Sequence, residues 1–264
     1  MNDPVLGEPG RGPAARRRQV REHVLHEGYA RLEDLAQRFE VSVMTMHRDL
    51  DALEAEGWLV KIRGGATANP SALVEAGVHE RRASMQREKV AIAAEAASLL
   101  GHGQTVFLDD STTALALVEH LVKRPPMVVG TNFLTALAAL GELNGTELLL
   151  FGGSYHAQQD SCMGMHTVEA IERVHADLFF MSTTAISQGR LLHRSEETVT
   201  VRKAFLRSSA HNVLLVDHAK FGRPAPHVLC DVSAFDTVVV DDGVHDDDLA
   251  LLREACDDVR IATV

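Results

Sequence analysis

The chain has 264 residues, with 26 Lys+Arg against 37 Asp+Glu and a formal net charge of −11. Its hydrophobic fraction of 45% and charged fraction of 24% suit a globular chain able to bury one small and one medium core. Three cysteines, odd in number and far apart (Cys162, Cys230, Cys256), exclude a disulfide framework. No apolar run reaches the roughly 18 residues of a membrane-spanning helix.

Residues 1–13 carry Pro4, Gly7, Pro9, Gly10, Gly12 and Pro13 without an apolar segment, so a disordered leader is expected and not a signal peptide. A cytoplasmic protein with free thiols follows from both features. From Ala14, Val20, Val24 and Leu25 lie on a first helix that Gly28 closes. Leu32, Leu35, Ala36 and Phe39 mark a second, and Glu40-Val41-Ser42 is a tight turn. Ser42 is a helix N-cap type. Behind it Met46, Leu50 and Leu53 recur at helical spacing, and Gly57 ends the run. Trp58–Ile62 is extended in character, and Arg63-Gly64-Gly65 turns it back.

Three helices and a basic hairpin within residues 14–68 are the pattern of a winged helix-turn-helix. With Met46, Leu50 and Leu53 inward, Met44 and Arg48 point outward and Thr45 and His47 flank them. An outward Arg near the start of such a helix suits a DNA major groove. The expected DNA contacts are therefore Ser42, Met44, Thr45, His47, Arg48, Lys61, Arg63 and Gly64. The charge is divided to match. Residues 11–69 hold ten Lys+Arg and nine Asp+Glu, whereas residues 70–264 hold 16 and 26. An acidic body behind a locally basic head limits non-specific binding to nucleic acid.

Asn69-Pro70-Ser71 breaks the pattern, and residues 69–84 read as a linker whose Val74, Val78 and Arg81-Arg82 can pack against the body. A helix is expected over Gln86–Leu100, with Val90, Ala93, Ala94, Ala97 and Leu100 inward. Apolar runs then appear at Thr105–Leu108, Met127–Val129, Leu148–Phe151, Leu178–Met181, Val213–Val216 and Val238–Val240, with Ile261 near a last one. Helical patterns separate them at Ala114–Val122, Leu134–Leu140, Val168–Val174, Val199–Ser208 and Leu249–Ala255. This alternation predicts an α/β domain over residues 85–264, an open and mostly parallel sheet.

Each run ends in polar or glycine-rich residues, in order Asp109–Thr113, Gly130-Thr131-Asn132, Gly152-Gly153, Ser182-Thr183-Thr184, Asp217–Lys220 and Asp241-Asp242. Ligands of open α/β sheets bind outside the carboxyl ends of the strands. Asp109, Ser111, Thr112, Thr113, Thr131, Asn132, Gly152, Gly153 and Lys220 are the expected effector site. Ser111-Thr112-Thr113 open a helix, where free amides favour a phosphate, and Lys220 adds a charge. Fourteen histidines show no metal-ligand spacing, and no G-x-G-x-x-G follows a strand, so neither a metal nor a dinucleotide cofactor is expected.

The run Thr45–Leu50, with Gly57-Trp58-Leu59 and Arg63–Ala66, resembles the DNA-binding signature of the DeoR family of bacterial transcription regulators. Lys89–Ala93, Asp109–Thr113, Thr131-Asn132, Gly152-Gly153 and Asp217–Phe221 resemble successive motifs of that family's sensor domain. The resemblance spans about Arg17 to the C-terminus. It implies a sensor domain with the fold of ribose-5-phosphate isomerase and a repressor of carbohydrate genes controlled by a phosphorylated sugar or sugar alcohol. The expected assembly is a homo-oligomer, dimer or tetramer, on double-stranded operator DNA. Three positions depart from the family pattern: His47 replaces an Arg, Ser111 a Gly, and Ala219 a Ser. His193–Glu197 is a further polar loop. The alternative left open is a sugar-phosphate isomerase-like enzyme using Asp109 or Asp110 as base and Lys220 as electrostatic partner.

Overall fold

The computed structural model describes residues 13–55, 58–68, 77–141, 144–223 and 225–264. The chain divides into two compact units, Met1–Ala76 and Gly77–Val264. The leader up to residue 12, Gly57 and Val74 lie outside the described residues.

The first unit runs α1 (Pro13–Glu27), β1 (Tyr29–Arg31), α2 (Leu32–Arg38), α3 (Val43–Ala55), β2 (Leu59–Ile62) and β3 (Gly65–Ala68). Pro13, expected in the leader, is the first residue of α1, where a missing N–H costs nothing. Val20, Val24, Leu35, Ala36, Met46, Leu50, Leu53, Leu59 and Ala66 form one core. Gly28, at φ +72°, closes α1. Asp49 is buried on the inner face of α3, where its Oδ2 accepts from Arg16 Nε of α1 at 2.6 Å. The Arg21 guanidinium lies 4.3 Å over the Trp58 ring.

The antiparallel sheet of this unit has the order β1-β3-β2, with β3 in the middle. β1 has only three residues and was not foreseen. A Cβ on Gly65 would stand 2.3 Å from the Ala30 carbonyl oxygen, so β1 and β3 approach as only glycine allows. Gly65→Ala is expected to destabilise this unit by about 1–3 kcal/mol through overpacking. An unchanged denaturation midpoint for the variant would contradict that close approach.

The second unit opens with α4 (Val78–Ala83) and α5 (Gln86–Ala96), the latter prolonged by a 3-10 turn to Leu99. Then come β4 (Thr105–Leu108), α6 (Thr112–Leu115), α7 (Val118–Lys123), β5 (Val128–Thr131), α8 (Leu134–Leu140) and β6 (Glu147–Leu150). A hairpin of β7 (Ser154–His156) and β8 (Ser161–Met163) precedes α9 (Met165–Glu172) and β9 (Ala176–Met181). β10 (Ala185–Ser187), β11 (Arg190–His193), α10 (Glu196–Arg207), β12 (Ser209–Val216) and β13 (His227–Asp231) follow. The chain closes with β14 (Thr237–Asp241), α11 (Asp246–Ala255) and β15 (Asp258–Ala262).

Seven strands form one wholly parallel sheet in the order β15-β14-β12-β9-β4-β5-β6. Alternate residues of each strand serve opposite faces. Val106, Leu108, Leu178, Phe180, Val213 and Leu215 pack under α5 to α8. Phe107, Phe179, Met181, Leu214 and Val216 pack on the other face, with Phe205 of α10 stacked on Phe179 at 5.0 Å. The order reverses between β4 and β9. This is the topological switch point, where two neighbouring strand ends lead their chains apart and leave a crevice.

Two expected helices change on folding. The pattern over Ala114–Val122 is two short helices, α6 and α7. In α5, Val90 and Ala94 face outward, while Lys89, Ile92, Ala93 and Ala96 face inward. The stripe turns because the Lys89 ammonium, buried, is held by main-chain carbonyls of the preceding segment. Among the described residues, no helix is long and apolar enough to cross a membrane.

Candidate functional site

The expected reading face of the first unit is α3 with its wing. Ser42 caps α3, its Oγ accepting from the Thr45 amide at 3.1 Å and lying 2.8 Å from the Thr45 hydroxyl. Both hydroxyls thus begin by fixing the helix start. Met44, His47 and Arg48 are exposed, and Met46, Asp49, Leu50 and Leu53 are buried. Arg63 and Gly64 occupy the exposed tip between β2 and β3, with Gly64 at φ +85°. Lys61, expected among the DNA contacts, is also engaged within the unit. Its Nζ pairs with Asp51 of α3, and its amide donates to Glu54 Oε1 at 2.7 Å. That pair holds the Asp51 carboxyl below its usual range. Lys61 therefore ties the wing to α3.

In the second unit the crevice at the switch point is built around Arg202 of α10. Its Nη2 lies 3.1 Å from Asp109 Oδ2 and 2.9 Å from Asp110 Oδ1, and its Nη1 donates to the Ser182 carbonyl at 2.8 Å. Asp109 Oδ2 accepts from the Ser182 amide at 3.2 Å and its Oδ1 from the Ser111 amide at 3.0 Å. The strand ends of β4 and β9 are thereby joined. Burial pushes Asp109 up to about 6, whereas Asp110, although buried, is held below its usual range by Arg202 and Arg81. Burial alone would lower Arg202, but the two carboxylates more than offset it. Desolvation, reinforced by the nearby Arg202 charge, pushes half-buried His193 down to about 3, so it stays neutral.

The expected site residues separate into groups. Asp109, Ser111, Thr112 and Thr113 are buried at the crevice. Ser111 Oγ caps α6 by accepting from the Ala114 amide at 3.0 Å, and the Thr112 hydroxyl donates to the Arg81 carbonyl at 3.2 Å. Lys220, after β12, has a side chain 23% exposed, with Nζ 3.8 Å from Asp217 Oδ2. Neither Asp217 oxygen has a hydrogen-bond partner among the described residues. The turn carrying both is pinned by His218, whose amide and Nδ1 approach Asp241 at 2.6 and 2.5 Å. Burial pushes Lys220 down against the pull of Asp217.

Thr131 and Asn132 sit one strand further out. Thr131 Oγ1 accepts from the Phe133 amide at 3.1 Å, and Asn132 Nδ2 donates to the Cys162 carbonyl at 2.9 Å. The Asn132 Oδ1 remains buried without a partner among the described residues. Gly152 and Gly153 lie at the end of the edge strand β6, two strands from the crevice. A Cβ on Gly153 would stand 2.1 Å from Thr167 Oγ1, so close packing against α9 accounts for that glycine.

Sequence reasoning missed Arg81, Lys89, Asp217 and Arg202 as site residues. Lys89 donates to the Ser84 carbonyl at 2.7 Å and to the Arg81 carbonyl, and burial, reinforced by nearby Lys220, pushes it down to about 7. The available signal was a basic residue inside an apolar stripe: Lys89 with Ile92, Ala93 and Ala96, and Arg202 with Thr198, Val199 and Phe205. Among the described residues, no group of three His, Cys, Asp or Glu side chains could hold a metal ion.

A winged reading head followed by a doubly wound sheet with a charged crevice at its switch point defines a ligand-responsive, DNA-binding transcription regulator. Residues 16–72 match the DeoR-like helix-turn-helix domain, and residues 84–242 match the DeoR C terminal sensor domain. The chain belongs to the DeoR family. It is 32% identical to the glycerol-3-phosphate regulon repressor of Escherichia coli, over 83% of this chain and 87% of that one. It is 29% identical to the putative aga operon transcriptional repressor of the same species, over 92% of each chain. It also aligns with ribose 5-phosphate isomerase A from Methanocaldococcus jannaschii, at 16% identity and a TM-score of 0.40, over 53% of this chain and 56% of that one. The family is one of regulators and not of enzymes, which closes the isomerase alternative.

Arg202→Met leaves two buried carboxylates without their cation and is expected to cost about 3–5 kcal/mol in unfolding free energy. A loss below about 1 kcal/mol in urea titrations would show that the knot is solvated and dispensable. Lys89 gives a pH signature. Its folded value of about 7 lies below its ordinary 10.5, so between these values the unfolded chain binds the proton more readily. Stability then rises with pH across that window and is lowest below it. The stability of the parent relative to Lys89→Met is expected to increase from pH 7 to pH 9. A difference that does not change with pH would contradict a depressed Lys89.

Proposed function

We propose that this protein is a repressor of carbohydrate genes that binds operator DNA and releases it when a phosphorylated sugar or sugar alcohol enters the switch-point crevice. The observation that carries the effector reading is a charge imbalance. Arg81, Lys89, Arg202, Lys220 and Arg223 act on one another and, apart from Glu88 beside Lys89, on three carboxylates among the described residues, Asp109, Asp110 and Asp217. Leaving out Lys89, which titrates near 7, the cations still outnumber the anions. The negative charge of a phosphate ester offsets that excess, and the Asp217 carboxylate, without a hydrogen-bond partner among the described residues, can accept hydrogen bonds from sugar hydroxyls. The relatives named as repressors of the glycerol-3-phosphate regulon and the aga operon support this reading.

The division of labour follows the chain. Residues 14–68 bind DNA, residues 69–84 connect, and residues 85–264 bind the effector and assemble the homo-oligomer. A dimer or tetramer presents pairs of reading heads to repeated half-sites, and the effector changes their spacing or orientation. The protein works where the operator is, in the bacterial cytoplasm. Met44, His47 and Arg48 face the major groove, and Arg63 and Gly64 meet the flanking backbone. Ser42 and Thr45 hold the helix start against a phosphate, and Lys61 sets the wing.

Arg48→Ala should weaken specific operator binding by about 1–3 kcal/mol if Arg48 reads a base. Arg63→Ala should reduce the salt slope by roughly one unit per lost phosphate contact. Equal binding by Arg48→Ala and the parent across a salt titration would remove Arg48 from the interface. For the effector, a thermal-shift screen should find a phosphate ester that stabilises the protein far more than its unphosphorylated parent. At a hundredfold excess over Kd the gain is about 2.7 kcal/mol. Lys220→Ala should remove most of that difference and Thr113→Val part of it, both variants still binding operator. A normal response from Lys220→Ala would overturn the phosphate assignment.

A further inference from the structure

Residues 73–83 lie between the two domain matches and belong to neither, yet Arg81 among them reaches the crevice. Arg81 is held from both sides. Its carbonyl accepts from Lys89 Nζ and from the Thr112 hydroxyl. Its Nη1 donates to the Asp110 carbonyl at 3.2 Å. Its Nη2 is buried and has no partner among the described residues. A guanidinium is a rigid planar fork, so anchoring one nitrogen on a main-chain carbonyl fixes where the other points. A desolvated donor left unpaired is a standing cost that a bound anion removes. Lys220 is near enough for its charge and that of Arg81 to oppose each other. Burial already disfavours the charged form of Arg81, and an anion between the two cations would reverse that.

We propose that Arg81 is a direct ligand of the effector's phosphate, opposite Lys220, and that through Arg81 the effector acts on the segment that leads to the reading head. The inference rests on the sugar-phosphate reading above and deepens it. The backbone of this segment is pinned at the Arg81 and Ser84 carbonyls by Lys89, so a ligand that engages the Arg81 side chain orders or shifts the whole of α4. Asp217 is left to the hydroxyls, since a carboxylate repels a phosphate. The sensor-domain match begins at residue 84, so Arg81 would be an effector ligand supplied by the connecting segment.

The test uses the full chain. Glycerol 3-phosphate, ribose 5-phosphate, fructose 6-phosphate, fructose 1,6-bisphosphate and inorganic phosphate are screened by thermal shift, and the best stabiliser is titrated calorimetrically. Arg81→Gln should raise its Kd by roughly 10- to 100-fold, as loss of a charge-assisted bond does. Arg81→Lys should recover only part, because an ammonium lacks the fork. Binding of the ligand should slow hydrogen exchange of residues 77–84 in the parent and not in Arg81→Gln, a change that a merely structural Arg81 would not produce. Should Arg81→Gln fail to fold, the Arg81→Lys affinity and exchange data decide in its place. If the folded variant binds within about twofold of the parent while Lys220→Ala loses binding, the role of Arg81 is refuted and the effector reading stands. If no phosphorylated compound stabilises the parent, both fall together.

Discussion

The buried contact of Arg202 with Asp109 and Asp110 is the interaction on which the sensor unit's crevice depends. A parallel sheet that reverses its order leaves two strand ends diverging over a gap, and here those ends must also carry charge. Arg202 closes the gap from α10, joining the end of β4 to the Ser182 backbone after β9. Buried ion pairs of this kind add little net stability, because desolvation offsets most of the attraction. What Arg202 contributes is position. It fixes the Asp109–Ser111 turn, and with it the start of α6 and the Arg81 side chain lying on the Asp110 carbonyl. It also engages both carboxylates, while Arg81, Lys220 and Asp217 keep bonding capacity to spare, as do Arg202 Nε and the Ser182 hydroxyl.

The first unit separates structure from reading in the same way. Asp49, in the middle of the Arg-Asp-Leu run, points inward to Arg16 and fixes α1 against α3. Asp51 and Glu54, one turn on, take up Lys61 and its amide and hold the wing. Three acidic residues of the helix proposed to face polyanionic DNA are thus engaged within the protein. Met44, His47 and Arg48 remain exposed on the same helix. The close approach of Gly65 to Ala30 binds the hairpin to β1, so the wing has a defined base.

Much of this was legible in the sequence. Strands buried on both faces need apolar residues at successive positions, and runs such as Val213–Val216 and Val238–Val240 announce themselves by that. The helix-turn-helix could be read from Met46, Leu50 and Leu53 because one face of an isolated helix must be apolar. β1, β7, β8, β10, β11 and β13 were not legible. They have three to five residues each, too few for a period to show, and β1 and β13 pair with strands far away in the chain. The site was legible in part. Ser111 and Lys220 stand at strand ends, where chemistry is expected. Lys89, Arg202 and Arg81 sit on helices, where a basic residue reads as solvated surface unless, as at Lys89 and Arg202, its place inside an apolar stripe is noticed; the folded chain sets them among carbonyls and carboxylates. Gly153 also has a packing reason that the pair of glycines at a strand end does not reveal, since a Cβ there would meet Thr167 of α9.

The central claim is that one protein couples an anion in the crevice to DNA on the reading head. Coupling between two ligands is reciprocal: a metabolite that weakens operator binding by some factor must itself bind more weakly, by the same factor, to the operator-bound protein. The most direct measurement is the metabolite's Kd on the free protein and on the protein saturated with an operator selected from random-sequence duplex DNA. The coupling predicts a Kd higher on the DNA-bound protein by about 5- to 150-fold, matching the loss of DNA affinity measured in the opposite titration. Equal metabolite affinity in the two states would contradict it.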